Sequence, residues 1–306
     1  MSETTNSTVV YAITDGVAHV EIDRANTLNS LTREVFEDLV EAGLALKGSS
    51  EVKAVVLSGR GRAFSAGLDF TELARIAEAG AATRSSAEEA AAGEAAAGEA
   101  AAGEAAAEGG EGGESDSVAT AVDLGQRLGS ARALAQKAVH VWSLVEVPVI
   151  AAVRGPALGG GLQIALGADM RVAGPDAKLS LMELNWGIIP DMCGTQLLPR
   201  LVGPAQAKKL IVTADTIGAE EALRIGLVDE VVEDPMARAL ELAGQIAARS
   251  RSALVWAKRL VDLSYDSDLS TGLDAEQEAL AELLGTDEQK QVVAARLAAM
   301  KARAKA

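Results

Sequence analysis

Apolar positions in this chain recur at two spacings, and the places where the spacing changes mark its elements. Val9–Thr14 and Val17–Ile22 are strand-like runs on either side of Asp15-Gly16, a pair suited to a tight turn, and together they predict a β-hairpin. From Ser30-Leu31-Thr32 the spacing lengthens. Val35, Phe36, Leu39, Val40 and Leu44 predict one buried face of an amphipathic helix that runs to about Lys47. Residues 52–57 (VKAVVL) predict a further strand, which empties into a glycine-punctuated loop at 58–70. Val149–Val153 is a short unbroken apolar run, the pattern of a strand covered on both faces. Gly159-Gly160-Gly161 follow it and open a helix at Leu162–Leu166.

Helical spacing also spans Val118–Leu144, which ends ahead of Pro148, and recurs in short helices at Thr195–Leu201, Ala205–Val212 and Ala219–Ile225. Leu227–Val232 predicts a brief strand, and four helical segments at about 235–249, 252–264, 272–284 and 287–304 close the chain. Strands alternating with helices predict an α/β fold. The helical end predicts a second subdomain or an oligomerisation module.

One stretch fits neither spacing. Residues 88–114 repeat AAAGE, and a period of five paints no consistent face on a helix. Each glycine there costs a helix about 1 kcal/mol against alanine. This predicts a low-complexity acidic surface insertion outside the core.

The bulk properties narrow the function classes. A net charge of −16 over 306 residues disfavours nucleic acid and anionic membrane surfaces as general partners. The first ten residues carry no basic, apolar-cored leader, and no apolar run approaches a membrane span, so the expected location is the cytoplasm. One cysteine, Cys193, allows no internal disulfide, and with His19 and His140 far apart a metal site is not expected. Both histidines fall inside regular elements, where a packed or half-exposed role is the plain expectation.

The glycine cluster at 159–161 is not a phosphate loop, because no Lys-Ser/Thr follows, nor is it GxGxxG. Amide N–H groups at a helix start can hold a developing oxyanion. The same glycines could equally serve close helix–strand packing, and the segment alone leaves both readings open.

Four separated motifs, GRAFSAGLDF (61–70), VPVIAAVRGPALGGGLQIAL (147–166), LMELNWGIIPDMCGTQLLPRLVG (181–203) and AEEALRIGLVDEVV (219–232), resemble in order those of the enoyl-CoA hydratase/isomerase (crotonase) family. The resemblance covers nearly the whole chain outside 80–117. It implies a crotonase-like spiral of ββα units over residues 1–232, with the insertion at about 80–117 inside it. It also implies a helical C-terminal trimerisation region at 233–306, and a homotrimer or a hexamer made of two trimers. The substrate class implied is an acyl-CoA thioester, with CoA as part of the substrate and no separate cofactor.

Carried over position by position, the resemblance assigns the oxyanion-holding N–H groups to Ala66 and Gly160. It places CoA along Ala66, Gly67, Leu68 and Asp69, and Arg24, Arg60 and Arg62 are candidate partners for the nucleotide phosphates, with solvated surface arginines as the alternative. Family hydratases use two glutamates on a water molecule. Glu183 matches the second, but the first is Gln163, which can hydrogen-bond water and cannot take its proton. Asp191, eight residues after Glu183, gives a spacing similar to that of dienoyl-CoA isomerases, although an N-cap role for Asp191 is the alternative. The reading that follows is an enoyl- or dienoyl-CoA isomerase with Glu183 as acid/base and Asp191 assisting. A hydratase in which Gln163 only orients water, and a non-catalytic acyl-CoA binder, are the alternatives.

Overall fold

The computed structural model describes residues 3–5, 8–75, 78 and 126–303. The AAAGE repeat, and residues 118–125 of the expected long helix, lie outside them. A seven-stranded sheet forms the centre, in the order β1 (Glu3–Thr5), β2 (Val9–Thr14), β3 (Val17–Ile22), β4 (Ala54–Gly59), β5 (Val149–Val153), β7 (Met170–Ala173) and β10 (Glu230–Val231). The first three strands pair antiparallel and the rest parallel. Asp15 and Gly16 both take positive φ, 51° and 80°, as a two-residue hairpin turn demands. A smaller sheet joins β6 (Pro156–Leu158), β8 (Lys178–Ser180) and β9 (Ile217–Gly218).

Side chains alternate across each strand, so the unbroken apolar runs of β4 and β5 serve two cores. Val55, Leu57, Val149, Ala151 and Val153 face the larger core, under α1 (Arg33–Lys47) and α2 (Leu134–Leu144). Ala54, Val56, Ile150 and Ala152 face the other side. There they meet Ala239 and Ala243 of helix Pro235–Ala247, the seventh labelled below. That helix, the first after residue 232, therefore covers the sheet of the α/β part.

Two sequence expectations shift. Leu44 of α1 is 44% exposed, and the buried face is Val35, Phe36, Leu39, Ala42, Gly43 and Leu46. A row stepping by four residues rotates about 40° per step at 3.6 residues per turn, so by Leu44 it has left the face that Val35 and Leu39 define. The helix expected from 118 begins, among the described residues, only at Leu134. A turn at Gly129, with φ of 55°, precedes it and is closed by mutual backbone bonds between Leu128 and Ala131.

The remaining helices are α3 (Gly160–Leu166), α4 (Gly194–Val202), α5 (Pro204–Thr213), α6 (Ala219–Arg224), α7 (Pro235–Ala247), α8 (Arg251–Asp266), α9 (Leu269–Leu283) and α10 (Asp287–Arg303). No helix among the described residues is long and apolar enough to cross a membrane.

Candidate active site

The site begins with a buried asparagine that sequence reasoning missed. Asn29 sits at a φ of 56°, a left-handed conformation that asparagine tolerates better than most residues. Its side-chain amide donates to the carbonyls of Arg60 and Ala63 at 3.0 and 2.8 Å, its Oδ1 accepts from the Arg24 N–H, and its own carbonyl accepts from Ser65 Oγ. The loop at 61–69 is thereby clamped to the 24–31 segment. On its other side the loop joins β6, with Ser65 N–H donating to Pro156 O and Leu158 N–H to Ser65 O.

Following the amides along this loop shows which one is left over. Ser65 N–H goes to Pro156 O, Ala66 N–H to Leu28 O at 2.8 Å, Gly67 N–H to Ser65 Oγ at 3.2 Å, and Asp69 N–H to Leu31 O at 2.9 Å. Leu68 N–H has no acceptor among the described residues. The sequence-based choice of Ala66 as an oxyanion donor is therefore corrected, because its N–H is already committed to Leu28. No local signal separates the two amides: the positive φ of Gly67 breaks any strand alternation between Ala66 and Leu68, and the acceptor of Ala66 lies in the 24–31 segment.

Gly67, at a φ of 93°, brings the loop against the glycine turn: a Cβ there would stand 2.7 Å from Leu158 O and 3.9 Å from Gly159 Cα. Gly159 N–H bonds Ser180 O, whereas Gly160, as the first residue of α3, has no intrahelical acceptor for its N–H and none elsewhere among the described residues. Leu68 and Gly160 thus flank one junction, each with a main-chain donor to offer.

Glu183 opens a short 3-10 turn, Glu183–Trp186, and lies over the same junction. A Cβ on Gly159 would be 3.4 Å from its Oε1. Glu183 is 7% exposed, its Oε1 accepts from Gln163 Nε2 at 2.6 Å, and its Oε2 is buried with no partner among the described residues. Burial pushes its pKa above the ordinary 4.5, the charge of Asp191 adds to the rise, and the Gln163 amide and its own N–H oppose it.

Asp191 is exposed at the edge of this site, with its pKa raised by the surrounding protein. It does not cap α4. The N-cap there is Cys193, without a side-chain bond, and Gln163 Oε1 accepts from both Met192 N–H and Gly194 N–H. Cys193 is packed with its thiol toward Gln136 O, and burial first, then Asp191, pushes its pKa to about 11. It is no nucleophile at neutral pH.

Of the residues expected along CoA, Asp69 accepts from Ser30 Oγ, Thr71 N–H and Thr71 Oγ, which holds its carboxyl below the ordinary range and starts the helical turn at 70–75. Arg24 is held by Ser30 and pairs with Asp69 at 3.7 Å, and Arg60 pairs with Glu21 and Asp23. Arg62 is exposed and has no side-chain partner among the described residues. Phe70 and Trp186 meet edge to face at 5.7 Å, and with Ile188 and Ile189 they leave an exposed apolar rim along the segments that carry Asp69 and Glu183. His19 bonds Ser58 Oγ in the next strand, as a packed strand histidine does.

Over residues 12–94 and 123–301 the chain matches the family described as enoyl-CoA hydratase/isomerase. It is 34% identical over 282 residues to the short-chain-enoyl-CoA hydratase of Clostridium acetobutylicum, covering 91% of this chain and 90% of that protein. It is 41% identical over 172 residues to the crotonyl-CoA hydratase of Syntrophomonas wolfei, covering 56% of this chain and 66% of the relative. The solved enoyl-CoA hydratase of Bacillus anthracis is similar at a TM-score of 0.74 and 29% identity, over 94% of this chain and 95% of that one.

Proposed function

The chain belongs to the enoyl-CoA hydratase/isomerase family, and on that premise we propose that it shifts the double bond of an enoyl- or dienoyl-CoA thioester through an enolate. What carries this reading is one buried carboxylate, Glu183, beside two uncommitted main-chain donors, with the neutral amide of Gln163 where hydration would use a second carboxylate. The thioester oxygen accepts from Leu68 N–H and Gly160 N–H. Loss of one such donor typically costs about 2.7–4 kcal/mol of transition-state stabilisation.

Glu183 takes a proton from C2. The C2–H electron pair becomes the C1=C2 bond, and the carbonyl π pair moves onto the held oxygen. Collapse of the enolate restores the carbonyl and sends the C1=C2 pair to C2=C3. The C3=C4 pair then takes the proton from Glu183 at C4. Atoms and charge balance within the substrate and one side chain, so the step calls on no cofactor. The raised pKa of Glu183 suits a group that must both take and give a proton near neutrality. In a dienoyl substrate Asp191 serves the more distant carbon. The apolar rim of Phe70 and Trp186 receives the acyl chain, and Arg62 meets the nucleotide phosphates while Arg24 braces the loop.

A second reading, hydration, is favoured by the relatives' names. In it Glu183 alone activates water and the second N–H of Gln163 holds that water in place. A 3-enoyl-CoA and crotonyl-CoA assayed side by side decide between them. Isomerisation should dominate, and faster hydration of crotonyl-CoA would overturn the proposal. Glu183→Gln should lower isomerisation by about 10²–10⁴-fold while CoA-ester binding survives. Asp191→Asn should lower turnover of a dienoyl substrate far more than that of a simple 3-enoyl one.

A further inference from the structure

Gln163 is 1% exposed, and its side chain is fixed from three directions. Its Oε1 accepts from Met192 N–H and Gly194 N–H, both at 2.9 Å, which uses both lone pairs of an amide oxygen. The amide cannot be turned over, because its NH2 would then face two N–H donors. Nε2 therefore donates to Glu183 Oε1, at 2.6 Å. Gly194 guards the arrangement, since a Cβ there would stand 2.7 Å from Gln163 Oε1.

This leaves the two oxygens of Glu183 unequal. Oε1 is tied, whereas Oε2 is buried without a protein partner among the described residues. We infer that Gln163 is a positioning residue: through its bond to Oε1 it clamps the carboxyl of Glu183 that takes and returns the proton. Because one clamped side chain does both, the proton leaves and re-enters on one face of the substrate. The inference rests on the acid/base role of Glu183 proposed above, and it holds for either isomerisation or hydration.

The clamp also sets the protonation of Glu183. A donor to a carboxylate favours its ionised form, which is the form that takes the proton. The other charge acting on Glu183 is that of Asp191, from the turn ahead of α4. From the same turn Cys193, pushed up to about 11, stays neutral over the working range, and α3 presents only the neutral Gln163.

The test is the pH profile of kcat/KM for a 3-enoyl-CoA, with C2–H exchange of a saturated acyl-CoA in D2O as a second readout. Gln163→Glu keeps an oxygen for Met192 N–H and Gly194 N–H, so the fold is retained, and it replaces the donor facing Glu183 by a second carboxyl oxygen. Two carboxylates at that distance do not both ionise. The acid limb should move up by at least one pH unit, and kcat at pH 7 should fall at least tenfold with KM unchanged. Gln163→Met, which removes the donor altogether, should move the limb in the same direction by less. Profiles identical to the parent's in both variants, with Glu183→Gln inactive, would overturn the clamp and leave the role of Glu183 standing. Undiminished exchange in Glu183→Gln would instead remove the reading on which the clamp rests.

Discussion

Glu183 keeps a carboxyl in a buried position, with Oε2 unpartnered among the described residues, and this bears on stability as well as on the proposed reaction. Its folded-state pKa lies above the ordinary 4.5, chiefly through burial, so the native chain binds a proton there that the unfolded chain releases. The stability that the protonated group contributes is complete below about pH 4.5 and is lost as pH rises through the raised pKa, at about 1.4 kcal/mol per unit of elevation. Glu183→Gln, which keeps an oxygen for Gln163 and carries no charge, should therefore be more stable than the parent at pH 8. The difference should close toward pH 4. Urea unfolding of the two proteins across that range measures it, and a gap that widened on acidification would contradict the burial account. Asn29 is a contrasting case. It touches no substrate in the proposed reaction, yet three of its hydrogen bonds reach the loop whose Leu68 N–H is the proposed donor, and a fourth, from Arg24 N–H, holds its own segment.

At the scale of elements, the site is a junction between two glycine turns rather than a feature of either one. Gly67 needs both its positive φ and its missing Cβ, since the carbonyl of Leu158 would lie 2.7 Å from that atom. Gly67→Ala should cost about 1–3 kcal/mol of stability from backbone strain. It should also lower turnover by as much as about 10²-fold by moving Leu68 N–H off its target. A shifted urea midpoint with undiminished turnover would show that the position of Leu68 N–H does not matter. The same close approach recurs at Gly161, whose Cβ would meet Ser65 O at 2.6 Å, so the 61–69 loop closes on the end of β6 through Gly67 and on α3 through Gly161.

At the scale of the whole molecule, the last helices are the part that the chain does not cover by itself. Neither α8 nor α10 buries a single residue, and Tyr265, Leu269, Leu284 and Met300 are all exposed, Leu269 by 77%. Helices of this length draw most of their stability from packing an apolar face, so a second copy is the expected cover. Sedimentation at micromolar concentration should give a trimer or hexamer of the 31.3 kDa chain, and a monomer would count against it. What the sequence settled on its own was local. The hairpin around Asp15-Gly16, the two-faced strand at Val149–Val153, the helix start at Thr32 and the presence of a helix after Gly159-Gly160-Gly161 follow from spacing and turn chemistry between near neighbours, although that helix begins at Gly160, two residues ahead of the expected Leu162. What the tertiary structure alone decided was which polar groups are left over. Ala66 loses its N–H to Leu28, Gln163 is oriented by Met192 and Gly194, and Leu44 turns out of the core. The physical reason is the same for the two polar groups: a hydrogen bond has two ends, and here the second lies 29 to 38 residues away, where no local pattern can see it.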